Sequence, residues 1–126
     1  EYADDLAFIH GTIASTAGTA VKLSKANPDR NIVQDHAHRV ERQYRTDRRG
    51  KQMGAFVVGA LCRTTGEVPG YHTSVNHKNM PVHYQEDWQQ SVLHIMDYGD
   101  GHYQFDDILI RDGEAYYGGK HYEADN

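Results

Sequence analysis

Two short apolar runs with a helical stretch between them constrain this chain more than any other feature. Leu6-Ala7-Phe8-Ile9 has the length of a buried strand and stops at His10-Gly11. Ser15 or Thr16 can cap a following helix, Ala20, Val21 and Leu23 form its narrow apolar stripe, and Asn27-Pro28 ends it. Asn31-Ile32-Val33 reads as a second strand, running into Asp35-His36-Ala37-His38. This order predicts a βαβ unit, whose two strand C-termini are neighbours. Open α/β sheets place their ligands at those ends.

The texture changes after Val40. Arg48-Arg49-Gly50-Lys51 reads as a turn between two strands, and Phe56-Val57-Val58 with Ala60-Leu61-Cys62 as an apolar strand broken by Gly59. Gly66 to Asp87 is poor in aliphatic residues and contains Pro69-Gly70 and Pro81, so it reads as a long loop, the kind that is often functional. Ser91 to Met96 and Phe105 to Arg111 are strands joined by a Gly99-Asp100-Gly101 hairpin turn, with Asp112-Gly113 as a further turn. No repeat, low-complexity tract or linker divides residues 1–126, which read as a single domain.

Composition narrows the function. A net charge of −5 argues against binding nucleic acid through the whole surface. No apolar run approaches a membrane span, and Asp4 and Asp5 before the first apolar stretch do not fit a secretory signal. A start at Glu1 rather than Met fits a processed product or a fragment. Cys62 is the only cysteine, which excludes an internal disulfide and a cysteine-built zinc site and points to a reducing, cytoplasmic setting. Nine histidines are the compositional oddity and point toward metal or proton chemistry. His10 at one strand end and His36 and His38 at the next can bring imidazoles together. Neutral imidazole is a good ligand for divalent zinc, manganese, iron or nickel.

The text around these histidines resembles the second half of the calcineurin-like metallophosphoesterase signature. His10-Gly11, a helix, Asn31-Ile32-Val33 and His36-Ala37-His38-Arg39 follow one another as that family's HG or GH motif, strand and G-H-x-H motif do. The likeness continues through Tyr44-Arg45-Thr46, Arg48-Arg49-Gly50, Gly59-Ala60-Leu61-Cys62-Arg63, Val68-Pro69-Gly70 and Trp88-Gln89-Gln90, a run similar to phage-type members. The resemblance implies that His10 and His36 bind one metal and His38 another, two ions in a complete site. The pair would activate a bridging water against a phosphomonoester or phosphodiester. Arg39, next to the histidine pair, is the implied phosphate-binding residue.

Two departures stand out. Asp35 occupies the position where the family has glycine, and could serve as a carboxylate ligand or as a partner that orients a histidine. The family's D-x-H, G-D-x-x-D and G-N-H-D/E motifs, which supply the other ligands and the catalytic histidine, are not found before His10. Asp100-Gly101-His102 and Asn76-His77 resemble fragments of them but read better as a hairpin turn and a polar loop. The expected fold is therefore α/β, a βαβ unit followed by antiparallel strands, about half of a two-sheet metallophosphoesterase sandwich. The expected function is a phosphoesterase segment, cytoplasmic (host-cell cytoplasm if phage-encoded). It would be active with a missing N-terminal half or a homo-oligomer partner, and nucleic acid is among the candidate substrates.

The rival from another class is a non-enzymatic, phage-derived module that binds a host or phage protein through an exposed sheet. Arg39, Arg42, Arg45, Arg48, Arg49 and Lys51 could track a nucleic-acid backbone or form a solvated hairpin. Tyr44, Tyr71 and Tyr84 could stack on bases, but packing is the plainer reading, as it is for Trp88. His72, His77 and His83 read as surface histidines of the long loop, and the acidic stretch from Asp97 to Asp125 as a solvated sheet edge.

Overall fold

A computed structural model describes residues 5–11, 18–62 and 88–125. The proposed caps Ser15 and Thr16, the loop Gly66 to Asp87, and Tyr71, His72, Asn76, His77, His83 and Tyr84 lie outside the described residues. The rest is a mixed α/β structure of two sheets and a helix.

The βαβ unit forms as its pattern predicts. β1 (Leu6–His10) and β2 (Asn31–Asp35) pair in parallel, with His10 opposite Asp35. Helix α1 (Thr19–Ala26) begins after Gly18, which is left-handed and offers no side-chain cap. It ends at Asn27, whose backbone N–H and side-chain amide both donate to the Leu23 carbonyl. Pro28 follows, and the helix stops there as expected.

β3 (Glu41–Thr46) and β4 (Gln52–Val58) form the hairpin around the Arg48–Lys51 turn. One Asp47 carboxylate oxygen accepts from the backbone N–H groups of Arg49 and Lys51, at 2.8 and 2.9 Å, and so shapes the turn. β4 does not sit at the edge. It inserts beside β2, in parallel with it, so the first sheet runs β1-β2-β4-β3. The link from β2 to β3 must then pass the C-terminal end of β4, and residues 36–40 form that link. The strand expected to continue to Cys62 stops at Val58. Beyond it, among the described residues, only Ala60 makes a bridge, to Gln90.

The second sheet is an antiparallel meander of β5 (Gln90–Asp97), β6 (Tyr103–Arg111), β7 (Glu114–Tyr117) and β8 (Lys120–Glu123). Its turns fall at Gly99–Gly101, Asp112–Gly113 and Gly118–Gly119.

Three layers result. On one face of the first sheet, Ala20 and Leu23 of α1 pack against Ala7, Ile32, Ala55 and Val57. On the other, Leu6, Val33 and Phe56 meet Leu93, Ile95, Tyr103 and Phe105 of the second sheet. Alternate residues of each strand serve the two faces, because strand side chains alternate. Phe56 stacks on Phe105 with centroids 3.9 Å apart. No helix among the described residues is long and apolar enough to cross a membrane.

Candidate metal centre

His10 ends β1 and Asp35 ends β2. Parallel register sets them side by side, on the face turned toward the second sheet. His10 Nδ1 lies 3.0 Å from Asp35 Oδ1, and the His10 and His36 rings meet edge to face at 5.6 Å. An imidazole that gives its Nδ1 hydrogen to a carboxylate keeps Nε2 as the lone-pair donor, the usual arrangement behind a metal-bound histidine. Asp35 stays in strand conformation, so the position needs no glycine. The left-handed residue of the segment is His38, at φ 60°. A non-glycine residue held there is uncommon and tends to be fixed by its surroundings.

Those surroundings are visible. The His38 ring lies edge-on to Trp88 at 4.2 Å, its carbonyl accepts from the Gln89 N–H at 3.0 Å, and Val40 N–H donates to Gln89 Oε1 at 2.8 Å. Gln89 is tied in turn to Ala60 beyond β4, at 2.9 Å. His38 Nδ1 is buried with no hydrogen-bond partner among the described residues. Burial lowers its pKa; the fields of His36 and His10 act the same way, and Asp35 opposes them. The shift favours the neutral ring, the form in which an imidazole can act as a ligand.

Gly11 closes the corner. Its N–H donates to the Asp35 carbonyl at 3.2 Å, and a Cβ there would overlap the buried side chain of Gln34. The HG pair therefore combines a donor ring with a residue that must lack a side chain.

His10, Asp35, His36 and His38 line one cleft of about 810 Å³. Its walls are apolar: Phe8, Ile9, Val33 and Val58 from the first sheet, Leu93 and Ile95 from β5, with Leu61 and Cys62 at the link between them. The chain matches no family model, no curated protein and no solved structure.

The remaining expected site residues fare differently. Arg39 follows His38 but is half-buried and does not line this cleft. The basic stretch is no stripe. Arg42 points to the second sheet, where it binds Asp107 and donates to the Phe105 carbonyl at 3.3 Å. Arg45 points the other way and donates to the Ser24 carbonyl at the end of α1, at 3.1 Å. Positions three apart on a strand face opposite sides, so the reading as a continuous phosphate track fails for β3. Arg49 is held by Asp47 at 2.7 Å. Tyr44 packs edge-on against Phe56, and Asp100-Gly101-His102 is a hairpin turn, as its glycines indicated.

A group absent from the sequence reading also emerges. Among the described residues, Glu114, His121 and Glu123 are the set whose ligand atoms all lie within 4.8 Å of one another, a possible metal-binding group. The His10, His36, His38 and Asp35 side chains are more spread out. The signal for the new group was Gly118-Gly119: a two-residue turn there sets Glu114 opposite Glu123.

Proposed function

We propose that the strand tips of β1 and β2 are the histidine-bearing side of a divalent-metal phosphoesterase centre, completed by carboxylates from a second polypeptide segment. One observation carries the reading. His10, Asp35, His36 and His38 gather at the C-terminal ends of parallel strands, and a buried imidazole nitrogen of His38 has no hydrogen-bond partner there.

The donor set fits a borderline divalent ion such as manganese or zinc, held by His10, His36 and His38. Such an ion, when bound, polarises a phosphoryl oxygen and acidifies a water. The protein's own part is to aim the imidazoles. Asp35 orients His10 through its Nδ1, and Trp88 with the Gln89 backbone holds His38 in place. The apolar cleft wall would border the ester side of a bound substrate, and a substrate that covered it would strengthen the electrostatics at the strand tips.

Charge decides the stoichiometry. Neutral imidazoles and one carboxylate offset little of the charge of two dications. At the roughly 3.5–4 Å spacing of two-metal sites those ions repel by on the order of 20 kcal/mol at an effective dielectric of about 20. This segment alone should hold one ion, and two only with added carboxylates. The outer edge of β1, where Phe8 is 50% and Ile9 40% exposed, is where the complementary segment would pair. The same edge supports the second reading, a protein-binding module without catalysis.

Calorimetric titration with manganese separates the two. The metal reading expects one ion per chain, lost in His36→Ala and His38→Ala. It also expects hydrolysis of an aryl phosphate only once a carboxylate-bearing segment is supplied. No heat of binding, together with a stable protein complex broken by Phe8→Asp, would favour the binding module instead.

A further inference from the structure

We propose that Glu114, His121 and Glu123 form a second divalent-cation site, on the β7–β8 hairpin, suited to zinc. It is independent of the strand-tip centre.

The two-residue Gly118–Gly119 turn, both residues at positive φ, closes the hairpin and sets Glu114 opposite Glu123 and Tyr116 opposite His121. His121 and Glu123 are two apart on one strand and so share a face, and Glu114 stands on that face across from them. Directly opposed like charges destabilise a strand pair. Here the two carboxylates stand opposed with an imidazole beside them: His121 Nε2 lies 2.8 Å from Glu114 Oε1.

The imidazole makes this more than two neighbouring carboxylates. The His121 ring packs against Tyr116 with centroids 4.8 Å apart, which limits its rotation. The base of the hairpin is closed by the Ala124 N–H donating to the Gly113 carbonyl at 2.8 Å. One nitrogen and two carboxylate oxygens, with ligand atoms within 4.8 Å, need only small rotamer changes to close on one ion. A nitrogen with two carboxylates suits zinc in particular, since magnesium and calcium prefer all-oxygen sets. All of these residues are exposed, so water can fill the remaining positions. Two carboxylates cancel the dication's charge, which the strand-tip group cannot do alone. A bound ion would clamp β8, the outermost strand of its sheet.

The test is site-resolved. Zinc chloride is titrated into the intact chain while histidine ring and backbone amide resonances are followed by NMR. The His121 ring and the amides of Glu114 and Glu123 should shift in a saturable way, and calcium chloride should leave them in place at the same concentration. Glu123→Gln and His121→Ala should each weaken zinc at the hairpin by at least about tenfold, with the strand-tip histidines responding as before. The hairpin is exposed, so unchanged spectra elsewhere would verify that the variants fold. Hairpin resonances that ignore zinc, or that shift equally in the Glu123→Gln protein, would overturn the proposal.

Discussion

His38 carries the sharpest consequence at the scale of single residues. Its ring is half-buried with Nδ1 out of solvent, and this burial together with the neighbouring imidazoles lowers its pKa. In the unfolded chain the same ring titrates near the ordinary value of about 6.5. Between those two values the unfolded state binds the proton and the folded state does not. The His38 contribution to stability is therefore full above about pH 6.5 and is lost as pH falls through that value toward the lowered one. In the metal-free protein, an NMR titration should find His38 with a midpoint below the ordinary imidazole range, and His36→Ala should move it upward. A midpoint at or above that range would contradict the half-buried placement beside His36 and His10. Gly11 gives a second residue-scale test. Gly11→Ala should cost about 1–3 kcal/mol in urea unfolding, because the fully buried Gln34 side chain would have to shift to make room. Adding Gln34→Ala should recover part of that, since the two sites share one space.

At the scale of elements, β3 shows how a charged strand is used for assembly. Arg42 binds Asp107 of β6, reaches the Phe105 carbonyl, and lies over the Phe56 ring at 5.3 Å. It therefore joins the two sheets at their rim. The pair is partly exposed, so solvent screens it, and Arg42→Met should cost about 1–2 kcal/mol of unfolding free energy. Asp107→Asn in the same chain should add less than its separate cost, a coupling readable from a double-mutant cycle. From β3's sequence, its arginines could equally have faced solvent or a nucleic acid. The choice was made by β4, which pairs with β3 on one side and β2 on the other and so exposes one face of β3 to α1 and the other to β6. The hairpins themselves were readable in advance. Arg48–Lys51, Gly99–Gly101 and Asp112–Gly113 are turns because aspartate side chains and glycines satisfy or permit local backbone geometry that other residues resist.

At the scale of the whole molecule, the two sheets depend on one another through a small core. Phe56 is 1% exposed and stacks on Phe105. Phe56→Ala should cost about 3–5 kcal/mol, measured by thermal or urea unfolding. Amide-exchange protection should fall in β6 as well as in β4. Loss confined to β4 would mean that the second sheet stands without the first.

The chain's local chemistry determined β1, α1, β2 and the β5–β6 hairpin, because each is set by apolar periodicity, a stop signal or a turn residue within a few positions. It also determined that His10, Asp35, His36 and His38 would stand at neighbouring strand ends, since a βαβ unit leaves no other arrangement. Only the tertiary structure decided that β4 lies parallel to β2, that His38 turns back on Trp88 instead of standing in solvent, and that Arg42 and Arg45 part to opposite faces. The same holds for the meeting of Glu114, His121 and Glu123, although the Gly118–Gly119 turn carried its register. These features rest on pairings between residues distant in sequence, and such pairings are chosen by which apolar faces bury each other, a competition that no local stretch of residues contains.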